Sequence, residues 1–430
     1  MTIGLDLTSL QGAHRMRGIG YTLIQLINNL PQDLREENNF IFYYYQTEAT
    51  NDPLELLKLE GIDYEVRPIS PASKKFTRRL PGKLNVFVRF LNQLADVAEL
   101  YRGDSRIEDL GGVDVFLQTD QAISLPKGRK FKKAFIAYDV IPYILEWDYL
   151  WNYSTARLHG LPRQAAIRCS VRRWMYIHKL RINSRRADQI LSISNATKKD
   201  FIKYVSPSKK KIETVPLGVM PADHSEADRS PQMHRYVTSS WGYLKKPFAF
   251  DDTPYLLFVG GADSRRKLDE LIIAFNHLRA QGHPLKLVLA GDTMQGPLNI
   301  PTVPIQKALS TSSYLEDIIF MGFVDDEQRD WLYKNALAFI FPSRYEGFGL
   351  PVLEAFSHRC PVISYRNEAT LEVAKDTPIY CDGPLEIIDC VATLLDTSQP
   401  QLEKLKKESL QRAQQYTWEK SSRNIIKALG

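Results

Sequence analysis

The sequence predicts a parallel α/β protein in two domains that face each other across a crevice. Three observations carry this. The chain has 430 residues, more than one ordinary core holds. Short apolar runs alternate with segments of helical period in both halves, the pattern of parallel strands joined by crossover helices. A polar stretch over 222–253 interrupts the alternation once, and its length exceeds a normal connection.

In the first half the strand candidates are Ile3–Leu7, Phe40–Tyr45, Tyr64–Ile69, Val113–Gln118, Ala134–Asp139, Gln189–Ile193 and Thr214–Leu217. Between them Tyr21–Leu30, Leu84–Tyr101, a long segment near 154–187 and Ala196–Tyr204 carry apolar residues at three-to-four spacing. The stretch 222–253 reads as loop, although its aromatics imply that part of it packs. The alternation restarts with strands at Tyr255–Val259, Lys286–Ala290, Ile318–Phe323, Ala338–Phe341, Pro361–Ser364 and Ile379–Cys381. Helix candidates there are Lys267–Arg279, Glu327–Asn335, Pro351–His358 and Leu385–Leu395, followed by two terminal helices near 400–415 and 417–429. The expected boundaries are an N-terminal domain over 1–222, a linker or insertion over 223–253, a C-terminal domain over 254–415 and a last helix over 416–430.

Composition narrows the class. Hydrophobic residues make up 44% and charged residues 25%, so both domains have the material for packed cores. No run approaches the roughly 20 apolar residues of a spanning helix. The opening MTIGLDLTSL reads as a strand and lacks the basic and apolar regions of a signal peptide. Cys169, Cys360, Cys381 and Cys390 are scattered without metal-ligand spacing. Reduced thiols in the cytoplasm are the expectation.

The net charge of +6 is unevenly placed. Residues 1–222 hold 33 Lys and Arg against 23 Asp and Glu, whereas 223–430 hold 23 against 27. From Trp151 to Ala187 there is no acidic residue, and nine basic ones lie between Arg157 and Arg186 with Trp151, Tyr153, Trp174, Met175 and Tyr176 among them. A second basic patch, Lys74, Lys75, Arg78, Arg79 and Lys83, leads into the amphipathic LNVFVRFLNQLADV. Basic segments with aromatics suit an anionic membrane surface. A solvated helix face explains the same residues equally well. No nucleic-acid module accompanies the charge, so no nucleic-acid partner is expected.

The most informative stretch is SRYEGFGLPVLEAF, Ser343 to Phe356. It follows a buried-strand run, turns through Gly347 and Gly349, and enters a helix with Pro351 at its start, where a missing N–H costs nothing. A helix start facing a glycine loop is a ready anion site. Glu346 and Glu354, eight residues apart, cannot serve phosphates and are better explained as acceptors for sugar or ribose hydroxyls. Together these features describe a nucleotide-sugar pocket.

EGFGLPVLE resembles the E-x7-E signature of retaining glycosyltransferase family 4, whose members have the GT-B fold. The likeness extends over nearly the whole chain, through GIGY, YDVIP, LSISNATKKDF, TVPLGV, FVGGADSRRKLDELIIAF, LVLAGD, MGFVDDEQRDWLYKNALAFIFPSRYEGFGLP and RAQQYTWEKSSRNII. The resemblance implies two Rossmann-like doubly wound domains, the C-terminal one holding the sugar nucleotide. It implies transfer of a hexose, with mannose or glucose favoured, to a glycan or lipid-linked saccharide in cell-surface polysaccharide or glycolipid synthesis. A non-catalytic nucleotide- or glycan-binding partner subunit is the alternative.

By the same resemblance Glu346 meets a hydroxyl of the transferred sugar and Glu354 the ribose, with Gly347, Phe348, Gly349 and Leu350 lining the donor. GGADSRRK supplies cations for the departing diphosphate, whose charge grows in the transition state. Gly261 and Arg265 belong to this set, and the second cation is either Arg266 or Lys267. Gly18 and Gly20 approach the donor, and Arg17 and Tyr21 the acceptor, with His14 and Arg15 just before them. Asp139 points toward the sugar or acceptor and joins Glu346 and Arg265 as a catalytic residue. Tyr138 stands where many relatives have histidine, and a phenol that titrates near 10 cannot act as an imidazole does at neutral pH. A Tyr138 hydrogen bond to a sugar hydroxyl remains available. No covalent nucleophile stands out, and no Asp-x-Asp motif occurs in a plausible place. Neither an obligatory metal nor a cofactor is expected, and the location expected is cytoplasmic, peripheral at most.

Overall fold

A computed structural model of the chain describes residues 1–12, 15, 18–46, 51–70, 101, 104, 106–223, 230–239, 242–297, 300 and 302–430. The chain divides into two compact units, Met1–Leu217 with Trp418–Gly430, and Gly218–Thr417.

The first unit is built on seven strands: β1 (Thr2–Asp6), β2 (Asn39–Tyr44), β3 (Asp63–Pro68), β4 (Val115–Gln118), β5 (Lys132–Ala137), β6 (Gln189–Ser192) and β7 (Ile212–Thr214). They lie in the order β3-β2-β1-β4-β5-β6-β7, with every pairing parallel. Such a sheet buries both faces, which is why the centres of β4, β5 and β6 are apolar at successive positions, through Val115, Phe116 and Leu117, Ala134, Phe135 and Ile136, and Ile190 and Leu191. The order reverses between β1 and β4, the position where doubly wound sheets open a crevice at the carboxyl ends of their strands. One core lies between β5, β6 and the helix Arg163–Arg186, where Phe135, Ile177, Leu180, Ile190 and Phe201 are buried.

The helix Trp418–Leu429 completes this unit. Trp418 is 1% exposed, Ser422 Oγ donates to the Leu26 carbonyl at 2.8 Å, and Arg423 pairs with Asp33 at 2.5 Å.

The second unit carries β8 (Met233–Ser239), β9 (Gly242–Phe248), β10 (Tyr255–Val259), β11 (Lys286–Ala290), β12 (Ile318–Gly322), β13 (Ala338–Phe341), β14 (Val362–Tyr365) and β15 (Ile379–Cys381). Their order is β15-β14-β13-β10-β11-β12-β8-β9. The six strands from β10 to β15 are parallel and doubly wound, with the switch point between β10 and β13. The helices Leu268–Ala280 and Pro384–Leu395 cover the sheet through Leu271, Phe275, Leu278, Ile387 and Val391, all fully buried.

The structure corrects the sequence reading in several places. The polar stretch 222–253 is not loop throughout: β8 and β9 form an antiparallel hairpin, and β8 pairs antiparallel with β12 at the sheet edge. Its outer strand is mostly exposed and contains Pro247 and two lysines, so it lacks the apolar alternation that marks a half-buried strand. What fixes the hairpin is tertiary. Tyr236 lies over Gly322 and Tyr243 over Gly296, both glycines at positive φ, and a Cβ on either would meet the ring at 2.5 Å.

The segment near 154–187 divides into Tyr153–Leu158 and Arg163–Arg186, because Gly160 takes φ +78° and Pro162 follows. Ala196–Tyr204 is an α-helix over Asn195–Asp200 that widens into a π turn over Phe201–Val205. β7 ends at Thr214, where the expected strand begins. The helices Val303–Ser310 and Glu368–Ala374 were not anticipated. The amphipathic segment Leu84–Tyr101, apart from Tyr101 itself, and the patch Lys74–Lys83 lie outside the described residues.

Candidate functional site

Two loops leave the carboxyl ends of β10 and β13, the strands that flank the switch point of the second unit. They are 260–267 and 342–349, the first being the GGADSRRK segment and the second containing the start of the Ser343–Phe356 stretch that the sequence singles out. Gly260 adopts φ +149°, and a Cβ there would overlap the guanidinium of Arg266. The missing side chain is what lets Arg266 fold back over its own loop. A turn of 3-10 helix over Ser264–Arg266 follows. Lys267 then takes the left-handed conformation, φ 42°, before the helix Leu268–Ala280 begins. On the other side Gly349 takes φ +108° as N-cap of the helix Leu350–Ser357. It has no side-chain cap; its own carbonyl accepts from the N–H groups of Val352 and Leu353, and Pro351 has none, so among the described residues only the Leu350 N–H is left for another partner. Pro351 is the second helical residue rather than the first.

Between these loops lies a buried charge cluster. Arg265 Nη1 pairs with Glu346 Oε1 and donates to the Tyr345 carbonyl at 2.8 Å. Ser343 Oγ donates to the same Glu346 oxygen at 2.8 Å, and Arg266 Nε stands 3.5 Å from it. Only 10% of the side chain of either Arg265 or Glu346 reaches water. Burial alone would push the Glu346 carboxyl up. The charges of Arg265 and Arg266, with the Ser343 hydrogen bond, outweigh it and hold the group below the usual carboxylate value. Glu346 is therefore an ionised acceptor with two arginines at hand. Asn367 ties the next loop in, donating to the Ser343 carbonyl at 2.8 Å while capping the helix Glu368–Ala374.

Lys267 faces away from this cluster. Its Nζ is 3.8 Å from Glu270 Oε1, which also accepts from Arg344 at 2.6 Å, while Tyr365 donates to Glu270 Oε2 at 2.6 Å. Of the two candidates for second cation, Arg266 is the one beside Glu346. Gly347 and Phe348 are buried in the loop, Phe348 edge-on to Tyr416 at 5.9 Å, and Leu350 and Gly261 are half-buried. Glu354 sits on the helix Leu350–Ser357, its Oε2 accepting from Tyr333 at 3.3 Å.

The first-unit candidates have other surroundings. Gly18 and Gly20 lie inside the first turn of the helix Gly18–Asn28, not in a loop before it. Tyr21 packs edge-on against Trp418, with ring centroids 6.0 Å apart. Arg17 and His14 lie outside the described residues. Asp139 Oδ1 accepts from the N–H of Ile141 at 2.9 Å, a turn just before the short helix Ile141–Ile144, whose N-cap is Val140. Tyr138 is buried, with its N–H on Gln121 Oε1 and its carbonyl on Thr197 Oγ1, and burial pushes its phenol far up. Near them, at the switch point of this unit, Asp6 is fully buried and accepts from Thr8 and from Gln118 Nε2 at 2.8 Å.

Sequence reasoning did not single out Ser343, Asn367, Tyr333 or Glu270. Asn367 had a signal, an N-cap residue three positions before Thr370. Tyr333 and Glu270 had none, since their roles depend on which helices the sheet brings together.

Comparison with known proteins adds to this geometry. Residues 241–426 match the model of a family described as glycosyl transferases group 1. The O-antigen chain mannosyltransferase B of Escherichia coli is 26% identical over 248 residues, 56% of this chain and 60% of that protein. The matched segments span 39% to 60% of the lengths of the first three curated relatives. Among solved structures, WaaG, a glycosyltransferase involved in lipopolysaccharide biosynthesis, superposes with a TM-score of 0.59 at 12% identity, covering 100% of this chain and 99% of that one. Anabaena Alr3699/HepE, solved in complex with UDP and glucose, gives 0.59 at 13% identity with the same coverage. At such identities the likeness is one of fold, and the fold class is GT-B, two parallel-sheet α/β units.

Proposed function

We propose that this chain is a retaining glycosyltransferase of the family 4 type, moving a hexose from a nucleoside-diphosphate sugar to a glycan or lipid-linked saccharide. The observation that carries the proposal is the buried Glu346–Arg265–Arg266 cluster at the switch point, beside an uncapped helix start. Anion donors and an ionised hydroxyl acceptor stand within one loop pair there, as a sugar diphosphate requires. The family match over 241–426 and the mannosyltransferase relative support the same class.

In this reading Arg265 and Arg266 take the diphosphate oxygens, exchanging part of their pairing with Glu346 for the leaving group. The N–H of Leu350, just after Gly349, adds to that seat. Glu346 accepts from a hydroxyl of the hexose, and Glu354 from the ribose. The bond from C1 to the phosphate oxygen breaks while the acceptor oxygen bonds C1 on the same face, and the acceptor's proton passes to the departing phosphate. Cations fixed before the reaction lower this barrier because the leaving charge grows as the bond stretches. No metal is needed for these steps.

We further propose that the exposed basic face of the helix Arg163–Arg186 meets an anionic membrane surface, where lipid-linked acceptors reside. Ile167 and Trp174 on it are 53% and 47% exposed, and Leu158 just before it 75%.

The test is transfer itself. Purified protein is offered UDP-, GDP-, ADP- and dTDP-hexoses, with nucleotide release followed in the presence of saccharide acceptors. Glu346→Ala and Arg265→Ala should each remove most activity at unchanged circular dichroism. Full activity in both variants defeats the assignment.

A further inference from the structure

Tyr333 belongs to the helix Asp326–Asn335, outside both site loops, and is fully buried. Packing alone would be served by phenylalanine, and a buried phenol hydroxyl needs a partner. Its partner is Glu354 Oε2, 3.3 Å away. Oε1 of Glu354 has no hydrogen-bond partner among the described residues, and the side chain is half-buried, within reach of solvent.

The ring that carries this hydroxyl is held on two sides. Phe339 meets it edge-on at 5.3 Å, and His358 stacks on it at 5.5 Å. His358 is anchored in turn, its Nδ1 on the Glu354 carbonyl at 2.7 Å and its Nε2 3.3 Å from Asp330. Burial, and then the Glu354 charge, keep the phenol protonated far beyond neutral pH, so it serves only as a donor to the carboxylate.

We propose that Tyr333 is a positioning residue for the nucleoside half of the donor: it holds one oxygen of Glu354 and leaves the other to accept from a ribose hydroxyl. The inference rests on the reading of Glu354 given above. A glutamate on a helix surface samples several rotamers, and binding a hydroxyl would otherwise cost the ordering of that side chain. With Oε2 tied to a rigid phenol, that ordering is done before the ligand arrives. Tyr333 thereby acts on recognition of ribose and does not touch the reacting atoms.

The experiment compares UDP with 2′-deoxy-UDP, and GDP with 2′-deoxy-GDP, by titration calorimetry on the full chain. Wild type should prefer the ribonucleotide of its own base by about tenfold, the worth of one hydrogen bond to a charged group. Tyr333→Phe should lose most of that preference by weakening the ribonucleotide alone. With the sugar nucleotide as substrate, its KM should rise more than its kcat falls. Glu354→Gln should lose the preference as well. A merely structural tyrosine would lower the melting temperature and leave the ribose preference intact. If Tyr333→Phe keeps the full preference while Glu354→Gln loses it, the positioning role is wrong and the ribose reading stands. If wild type binds a ribonucleotide with no preference over its 2′-deoxy form, or binds none of the four and neither ADP nor 2′-deoxy-ADP, both readings fall.

Discussion

Glu346 and Arg265 hold each other with nine-tenths of each side chain out of water. Breaking such a pair leaves one charge buried without compensation, which typically costs about 3–5 kcal/mol, whereas removing both partners costs far less. Arg265→Ala and Glu346→Ala should therefore each destabilise the protein strongly. The double variant should recover much of the loss. Urea unfolding of the four proteins measures the coupling, and strictly additive losses would contradict the pairing.

The same carboxyl sets an acid limit. Its value in the folded protein lies below the usual 4.5, so its contribution to stability is complete above about that pH and is lost as pH falls through the folded value. The stability gap between wild type and Glu346→Gln should hold constant from neutral pH down to about 5 and narrow below it. Denaturant titrations between pH 7 and 3 read this directly. A gap that widens toward acid would mean that burial outweighs the arginines.

Asp6 has the opposite sign. Burial raises its carboxyl above 3.8 in spite of hydrogen bonds from Thr8 and Gln118, so its ionised form is a burden at neutral pH. Stability from this group is present below the unfolded value and is lost as pH rises through the folded one. Gln118 Oε1 is buried with no partner among the described residues. Asp6→Asn lets the Gln118 amide turn over and pair that oxygen with the new N–H. Expected is a neutral change or a gain of up to about 1 kcal/mol at pH 7, against a loss of about 2 kcal/mol for Asp6→Ala. Thermal unfolding of the two variants decides it, and equal losses would refute the account.

For the membrane proposal, the structure separates arginines that read alike in sequence. Arg168 and Arg172 are exposed. Arg173 is tied into the fold, donating to the Tyr143 carbonyl at 2.7 Å, pairing with Glu146 at 3.1 Å and lying 4.0 Å over the Tyr143 ring. Neutralising Arg168 and Arg172 together should weaken sedimentation with phosphatidylserine vesicles by more than about tenfold at low salt, at roughly 1 kcal/mol per charge. Unchanged sedimentation would remove this face from consideration.

Strands of the second unit were legible almost to the residue: Tyr255–Val259, Lys286–Ala290, Ala338–Phe341 and Ile379–Cys381 begin and end where their apolar runs do. Such runs are decided locally, since nothing but a doubly covered strand needs them. The hairpin Met233–Phe248 escaped because its Tyr236 and Tyr243 rings pack on Gly322 and Gly296, which lie far along the sequence. The site divides the same way. Glycines and carboxylates at short spacing announced Glu346, Gly349 and Glu354, but adjacent basic residues do not reveal which one turns inward. That depends on Lys267 taking a left-handed backbone, which sends Arg266 toward Glu346 and Lys267 toward Glu270. The surroundings of Asp139 and Tyr21 were hidden for a related reason, since a side-chain turn onto the Ile141 N–H and a ring contact with Trp418 are not displayed by spacing.

The placement of Trp418–Leu429 in the first unit has a consequence for synthesis. Because Gly218–Thr417 is a single uninterrupted segment, it needs no residue from elsewhere in the chain to complete its unit. The first unit waits longer: its sheet emerges earliest, yet Leu26 and Tyr21 receive Ser422 and Trp418 only some four hundred residues later. At a typical 5–20 residues per second that delay is on the order of tens of seconds, during which an apolar seat stands uncovered. The half of the protein translated first is thus the half completed last, and the half most dependent on protection during its birth.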